Sequence, residues 1–201
     1  MRLFHYLFLS LVGELATNRP VQAQRVETTL PVFNQQRQRI TESGMFTVTA
    51  WGAGNLIANG LSLKNASGSN KAFYQMNMAW GAVDLLLGGV GLLGNRRAKT
   101  DLSVYESLEE QQKIEKIFLV NAGLDVAYVT GGFYLRERAK AQEKNSERNE
   151  GYGRSLVLQG GFLLLFDGAM YAVHRAHFKR NKGFWQRLEV AGSGVGVKVN
   201  F

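Results

Sequence analysis

The sequence predicts an all-α fold: a four-helix transmembrane bundle with an N-terminal signal segment and a short C-terminal strand-like tail. Three observations carry this expectation. Four stretches of about twenty residues are predominantly apolar, the length an α-helix needs to cross roughly 30 Å of hydrocarbon. Much of the glycine, 23 of 201 residues, lies inside those stretches. Soluble helices avoid glycine there because it costs about 1 kcal/mol relative to alanine, whereas membrane helices use it for close packing. Finally, the stretches are separated by polar, basic connections, as in membrane-flanking loops.

Taken in order, residues 1–23 read as a signal peptide. Arg2 gives a positive start, LFHYLFLSLVG (3–13) is apolar but too short to span comfortably, and Val21-Gln22-Ala23 offers small residues at cleavage spacing. Residues 24–43 form a lead-in, where VFNQQRQRITESG (32–44) reads as an amphipathic helix with Phe33 and Ile40 on its apolar side. The membrane domain occupies 44–178, with spans at about 44–63, 72–94, 114–135 and 154–174. The first span is marginal, since Asn55 and Asn59 need shielding by partners in a bundle.

The connections follow the same logic. KNASGSNK (64–71) is a turn-rich loop, and the second half of 95–113 has helical character. Residues 136–153 begin as a charged helical extension and end in a Gly-flanked turn. Residues 179–201 form a basic, strand-like tail in which Val195, Val197, Val199 and Phe201 alternate. That ending also fits an outer-membrane barrel strand, but DLLLGGVGLL and GFLLLFDG do not alternate, so helices are preferred.

The formal net charge is +8, and cysteine is absent, which removes disulfides and thiolate metal sites. The basic residues flank apolar segments, so nucleic acid is not an expected partner. No GxxxxGK[ST] or strand-linked GxGxxG occurs, and no Ser/His/Asp arrangement has support. No enzyme and no cofactor is therefore expected. Two orientation rules collide. A cleaved signal peptide places residue 24 outside, which leaves eight Lys and Arg on inner loops against fourteen on outer segments. The positive-inside rule prefers the reverse.

Each expected span carries a polar residue near its middle: Asn55, Asp84, Asp125 and, about one turn off centre, Asp167. In an antiparallel bundle these depths coincide. An isolated carboxylate there costs several kcal/mol, roughly, so it must be protonated, paired or wet. Helical spacing puts Gly52, Asn55 and Asn59 on one face, Gly81, Asp84 and Gly88 on another, and Asn121, Asp125, Tyr128 and Gly132 on a third. The candidate polar or ion site is Asp84, Asp125 and Asp167 with Asn55, Asn121 and Gln159 as neutral partners. The competing expectation is interhelical hydrogen-bond glue. His174 and His177, at i and i+3, are weak metal candidates without an evident third ligand. A weak internal echo relates AWGAGNLIANG to AWGAVDLLLGG, setting Asn55 opposite Asp84.

The stretches EKIFLVNAGLDVAYVTGGFYLRERA and GYGRSLVLQGGFLLLFDGAMYAVHRAH, together with FNQQRQRITESGM and FYQMNMAWGAVDLLLG, resemble an uncharacterised family of small multi-pass membrane proteins from Bacteroidota. The resemblance spans about 32–178 and implies one recurring membrane design without an assigned activity. The expected location is the bacterial cell membrane, with the outer membrane as alternative. Expected partners are membrane lipids and a second copy or an envelope protein. The expected function is a non-enzymatic membrane component with a buried polar centre. The alternatives are a small proton or cation transporter or channel, and an envelope assembly or partner-binding factor.

Overall fold

The computed structural model describes residues 29–141 and 144–192, with side-chain surroundings through Arg187. The signal-peptide expectation for 1–23 lies outside these residues. Among the described residues the chain is helical: α1 Leu30–Leu63, α2 Gly68–Arg97, α3 Val104–Ala141, α4 Ser146–Arg180 and α5 Lys182–Gly192. The count is therefore five rather than four. The first four are longer than the apolar stretches that signal them, because charged and amphipathic flanks continue the same helices. The lead-in at 32–44 is simply the first part of α1, begun by Pro31 in its first turn. The helix α3 starts with a capping box: Ser103 N–H donates to Glu106 Oε2 at 2.8 Å and Glu106 N–H to Ser103 Oγ at 3.3 Å. The expected Gly-flanked turn before 153 is instead helix, and the α3–α4 turn comes earlier, closing at Asn145 with φ 67°.

The strand-like tail is corrected in part. Residues 188–192 belong to α5, while the alternating Val195–Phe201 lies outside the described residues.

Three helices, α2, α3 and α4, are long and apolar enough to cross a membrane. The helix α1 is not among them, which narrows the expectation of four; its interior is diluted by Thr47, Thr49, Asn55 and Asn59. The distribution of side chains is inverted relative to a water-soluble bundle. Among the described residues fifteen buried side chains are polar or charged against seven that are hydrophobic, while Leu86, Leu87, Val90, Val120 and Leu165 are exposed. Water would penalise such an exterior, and a bilayer would solvate it.

The helices form two antiparallel hairpins. The pairs α1–α2 and α3–α4 pack along their lengths, α2 lies on α4, and α2 makes no extended contact with α3. Each hairpin is clasped by a reciprocal glycine pair. A Cβ on Gly52 would lie 2.6 Å from Gly81 O and 2.5 Å from Leu85 N; one on Gly81 would lie 2.8 Å from Gly52 O and 3.1 Å from Leu56 N. On the other hairpin, a Cβ on Gly132 would lie 2.7 Å from Gly153 O and one on Gly153 2.6 Å from Gly132 O. Only glycine permits backbones so close. The AWG echo thus has a physical meaning: its two glycines are the crossing point of α1 and α2.

Candidate functional site

The buried positions of α3 recur every seven residues at Phe118, Asp125, Gly132 and Ala139. Those of α4 do so at Gly153, Gly160, Asp167 and His174. This heptad register makes the two helices an antiparallel ladder. Gly160 abuts Asp125 O, and Ser146 Oγ donates to Ala139 O at 2.7 Å. The ladder sets Asp125 and Asp167 in adjacent layers, where their carboxyl groups hydrogen-bond to each other and Asn121 bonds to Asp167. From the opposite hairpin Asp84 faces the pair closely enough to interact electrostatically with both acids.

All three acids are almost fully buried, at 1%, 2% and 4% exposure for Asp84, Asp125 and Asp167. They line one cavity of about 570 Å³. Oδ2 of Asp84 and Oδ2 of Asp125 have no hydrogen-bond partner, nor does the neighbouring Trp80 Nε1. Trp80 and Tyr128 also line the cavity, and their rings meet edge-on at 5.0 Å and 70°. On α3 a run of exposed apolar residues extends from Ile117 to Tyr134, with Asp125 at the middle of this apolar belt, and Val104 and Tyr105 are exposed separately in the helix's first turn.

Asn55 and Gln159 do not join this cavity. They build a separate network around Asn77, absent from the sequence-level candidates. Gln159 Nε2 donates to Asn55 Oδ1 at 2.8 Å and to Asn77 Oδ1 at 2.7 Å. Ser155 Oγ donates to Asn77 Oδ1 at 2.8 Å, and Trp51 Nε1 to Gln159 Oε1 at 2.7 Å. Asn55 Nδ2 is used by Trp51 O at 2.9 Å. Gln159 thereby spends both donors and its acceptor tying α4 to α1 and α2. Asn77 was legible in principle, since it shares a helical face with Gly81, Asp84 and Gly88.

A third polar layer closes the end where α1 begins and α4 ends. Asn34 Nδ2 donates to Ser107 Oγ at 2.9 Å and Thr100 O at 3.0 Å. Arg37 Nη1 donates to Asn34 Oδ1 at 2.8 Å and Ser107 O at 3.1 Å. Burial lowers the Arg37 guanidinium from its ordinary value, and Glu110 acts in the opposite direction. Arg37 and Glu110 mark the far end of the cavity.

The two histidines belong to this end as packing residues. Gln111 Nε2 donates to His174 O at 2.9 Å, and the His174 ring lies against Phe118 at 5.6 Å. His177 stacks on Phe33 at 4.3 Å, and its ring hydrogen-bonds the Phe33 backbone. His177 falls seventeen residues beyond Gly160, which faces Tyr128, Val129 N and Asp125 O on α3. That is about 26 Å at 1.5 Å per residue, past the roughly 15 Å half-thickness of a hydrocarbon core. There burial pushes its imidazole down to about 4. Among the described residues no three His, Asp or Glu side chains are grouped to hold a metal ion.

Comparison with known proteins adds a family and no activity. No curated protein matches the chain, and no solved structure does. A match does cover residues 47–168, more than half of the chain and all three acids, and it carries neither a source organism nor a membrane assignment. The chain belongs to the family of unknown function DUF6992.

Proposed function

We propose that this protein is a non-enzymatic, multi-pass membrane component whose centre exchanges protons, operating as a small proton or cation transporter. The observation that carries this reading is the meeting of Asp84, Asp125 and Asp167 in one cavity, with an unpartnered oxygen on each of the first two. Carboxylates at the middle of an apolar belt are costly unless a proton, a cation or a partner compensates them. By contrast, the side-chain oxygens of Gln159 and Asn55 accept hydrogen bonds from Trp51 Nε1 and Gln159 Nε2. The cavity continues from the acids to Arg37 and Glu110 at the bundle end, a route by which protons reach the centre. In this reading α1 is a fourth span, its asparagines shielded by α2 and α4.

A structural role is favoured for one part of the polar interior. Asn55, Asn77, Ser155 and Gln159 are joined across three helices, and such bonds hold membrane helices together at about 1 kcal/mol each.

The test is proton flux into liposomes that contain the full chain and a trapped pH-sensitive dye. A pH gradient should collapse faster than in protein-free liposomes, and Asp125→Asn should slow that collapse at least tenfold while the protein stays monodisperse. Wild-type flux equal to the protein-free rate would remove the transport reading. So would unchanged flux in a folded Asp125→Asn.

A further inference from the structure

We propose that the cavity takes a lipophilic organic cation, an amine or quaternary onium, that enters sideways from the bilayer between α2 and α3. The inference rests on the reading of Asp84 and Asp125 as an exchanging carboxyl site, and it names the guest.

Four features of the cavity converge on this chemistry. Its volume of about 570 Å³ is that of a small-molecule site rather than a water file. Trp80 and Tyr128, with rings inclined at 70°, form two walls of an aromatic corner, and ring faces attract organic cations. Beside that corner stand Asp84 and Asp125, each with a buried oxygen lacking a partner. A cation there would satisfy the carboxylates and the rings together. The access route is apolar. Helices α2 and α3 make no extended contact, and Val83, Leu87, Ile117 and Leu124 on the edges of the gap are exposed while lining the cavity. Those four edge residues offer a hydrated ion no polar group, whereas a greasy cation dissolved in the bilayer would pass them.

The charged and titratable groups facing the cavity are Arg37 from α1, Asp84 from α2, Glu110, Asp125 and Tyr128 from α3, and Asp167 from α4. Arg37 does not oppose the guest. Its guanidinium is anchored at Ser107 O, and Ser107 is eighteen residues from Asp125, about 27 Å along the helix. The acids therefore dominate the field at the aromatic corner.

The test uses the full chain in detergent and tetraphenylphosphonium as the probe, with tetraphenylborate as its anionic isostere, measured by equilibrium dialysis at pH 8. Saturable binding of the cation, with only non-saturable partitioning of the anion, is expected. Trp80→Leu should weaken binding about fivefold to thirtyfold, the span of a desolvated cation–π contact. Asp84→Asn should weaken it at least tenfold, and Trp80→Phe should restore part of what Trp80→Leu loses. Absence of saturable cation binding, or equal binding of cation and anion, would overturn the inference on the wild-type protein alone, whatever the variants do. Two folded variants that bind as wild type would overturn it too. Proton flux without cation binding would remove this inference and leave the proton site standing. Cation binding without proton flux would do the opposite.

Discussion

The most direct test of the architecture is a pair of substitutions two residues apart on α1. Gly52→Ala adds a methyl group 2.5 Å from Leu85 N, 2.6 Å from Gly81 O and 3.1 Å from the backbone carbon of Asp84. Ordinary contact begins near 3.4 Å. Backbone cannot rotate aside as a side chain can, so α1 and α2 must part by about 0.9 Å at their crossing to bring the 2.5 Å contact to 3.4 Å. A gap of that size forfeits a quarter to a half of each affected dispersion contact, and overpacking of this kind costs about 1–3 kcal/mol. Gly54→Ala meets nothing within 4 Å. It should be neutral or stabilising by up to about 1 kcal/mol, from helix propensity. The two variants should therefore differ by about 2 kcal/mol, with Gly52→Ala the less stable. The assay is an unfolding titration with sodium dodecyl sulfate from mild detergent micelles, followed by tryptophan fluorescence. Because Gly52 touches the backbone at Asp84, proton flux should fall with stability in Gly52→Ala and hold in Gly54→Ala. Equal midpoints for the two variants would refute the clasp and with it the placement of Asp84.

Further expectations concern the other polar layers. Gln159→Leu strips Asn55, Asn77 and Trp51 of a shared partner at once; it should cost about 2 kcal/mol in the same titration, while flux in the folded fraction stays at the wild-type rate. His177 has an imidazole depressed from 6.5 to about 4 in the fold, so the unfolded chain takes up its proton first as pH falls. The stability it contributes is whole above about 6.5 and is lost progressively down to about 4, amounting to about 2 kcal/mol by pH 5. Titration midpoints at pH 7 and pH 5 should show this loss, and His177→Phe, which keeps the stacking on Phe33, should reduce it. Orientation is open to single-cysteine labelling because the chain has no native cysteine. The end bearing the α2–α3 connection carries the greater number of Lys and Arg, so by the positive-inside rule Ala66→Cys should react with an impermeant maleimide on intact cells and Ala98→Cys should not. Labelling in the reverse sense would favour the signal-peptide orientation.

Much of the architecture was legible in the sequence because it depends on local periodicity. Helical spacing alone placed Gly52, Asn55 and Asn59 on one buried face and Gly81, Asp84 and Gly88 on another, and all six are buried. It also placed Asp125 and Gly132 together on the buried face of α3. Inclusion of glycine and acids within apolar runs was enough to point to a bundle turned outward toward lipid. What periodicity could not report was which buried face meets which. Asn55 and Asp84 occupy equivalent places in the AWG echo, yet their surroundings differ. Helix α4 fills the space beside Asn55 with Gln159, whereas the space beside Asp84 opens toward α3. That asymmetry arises because α4 packs on both hairpins and α3 packs chiefly on α4. The same long-range packing made His177 a stacking partner of Phe33, 144 positions earlier in the chain. Residue types and their 3.6-residue rhythm determined that polar groups would be hidden inside lipophilic helices. Only the packing of one hairpin against the other decided which of them are saturated and which face an open cavity, because hydrogen bonding between helices is settled by contacts no local pattern encodes.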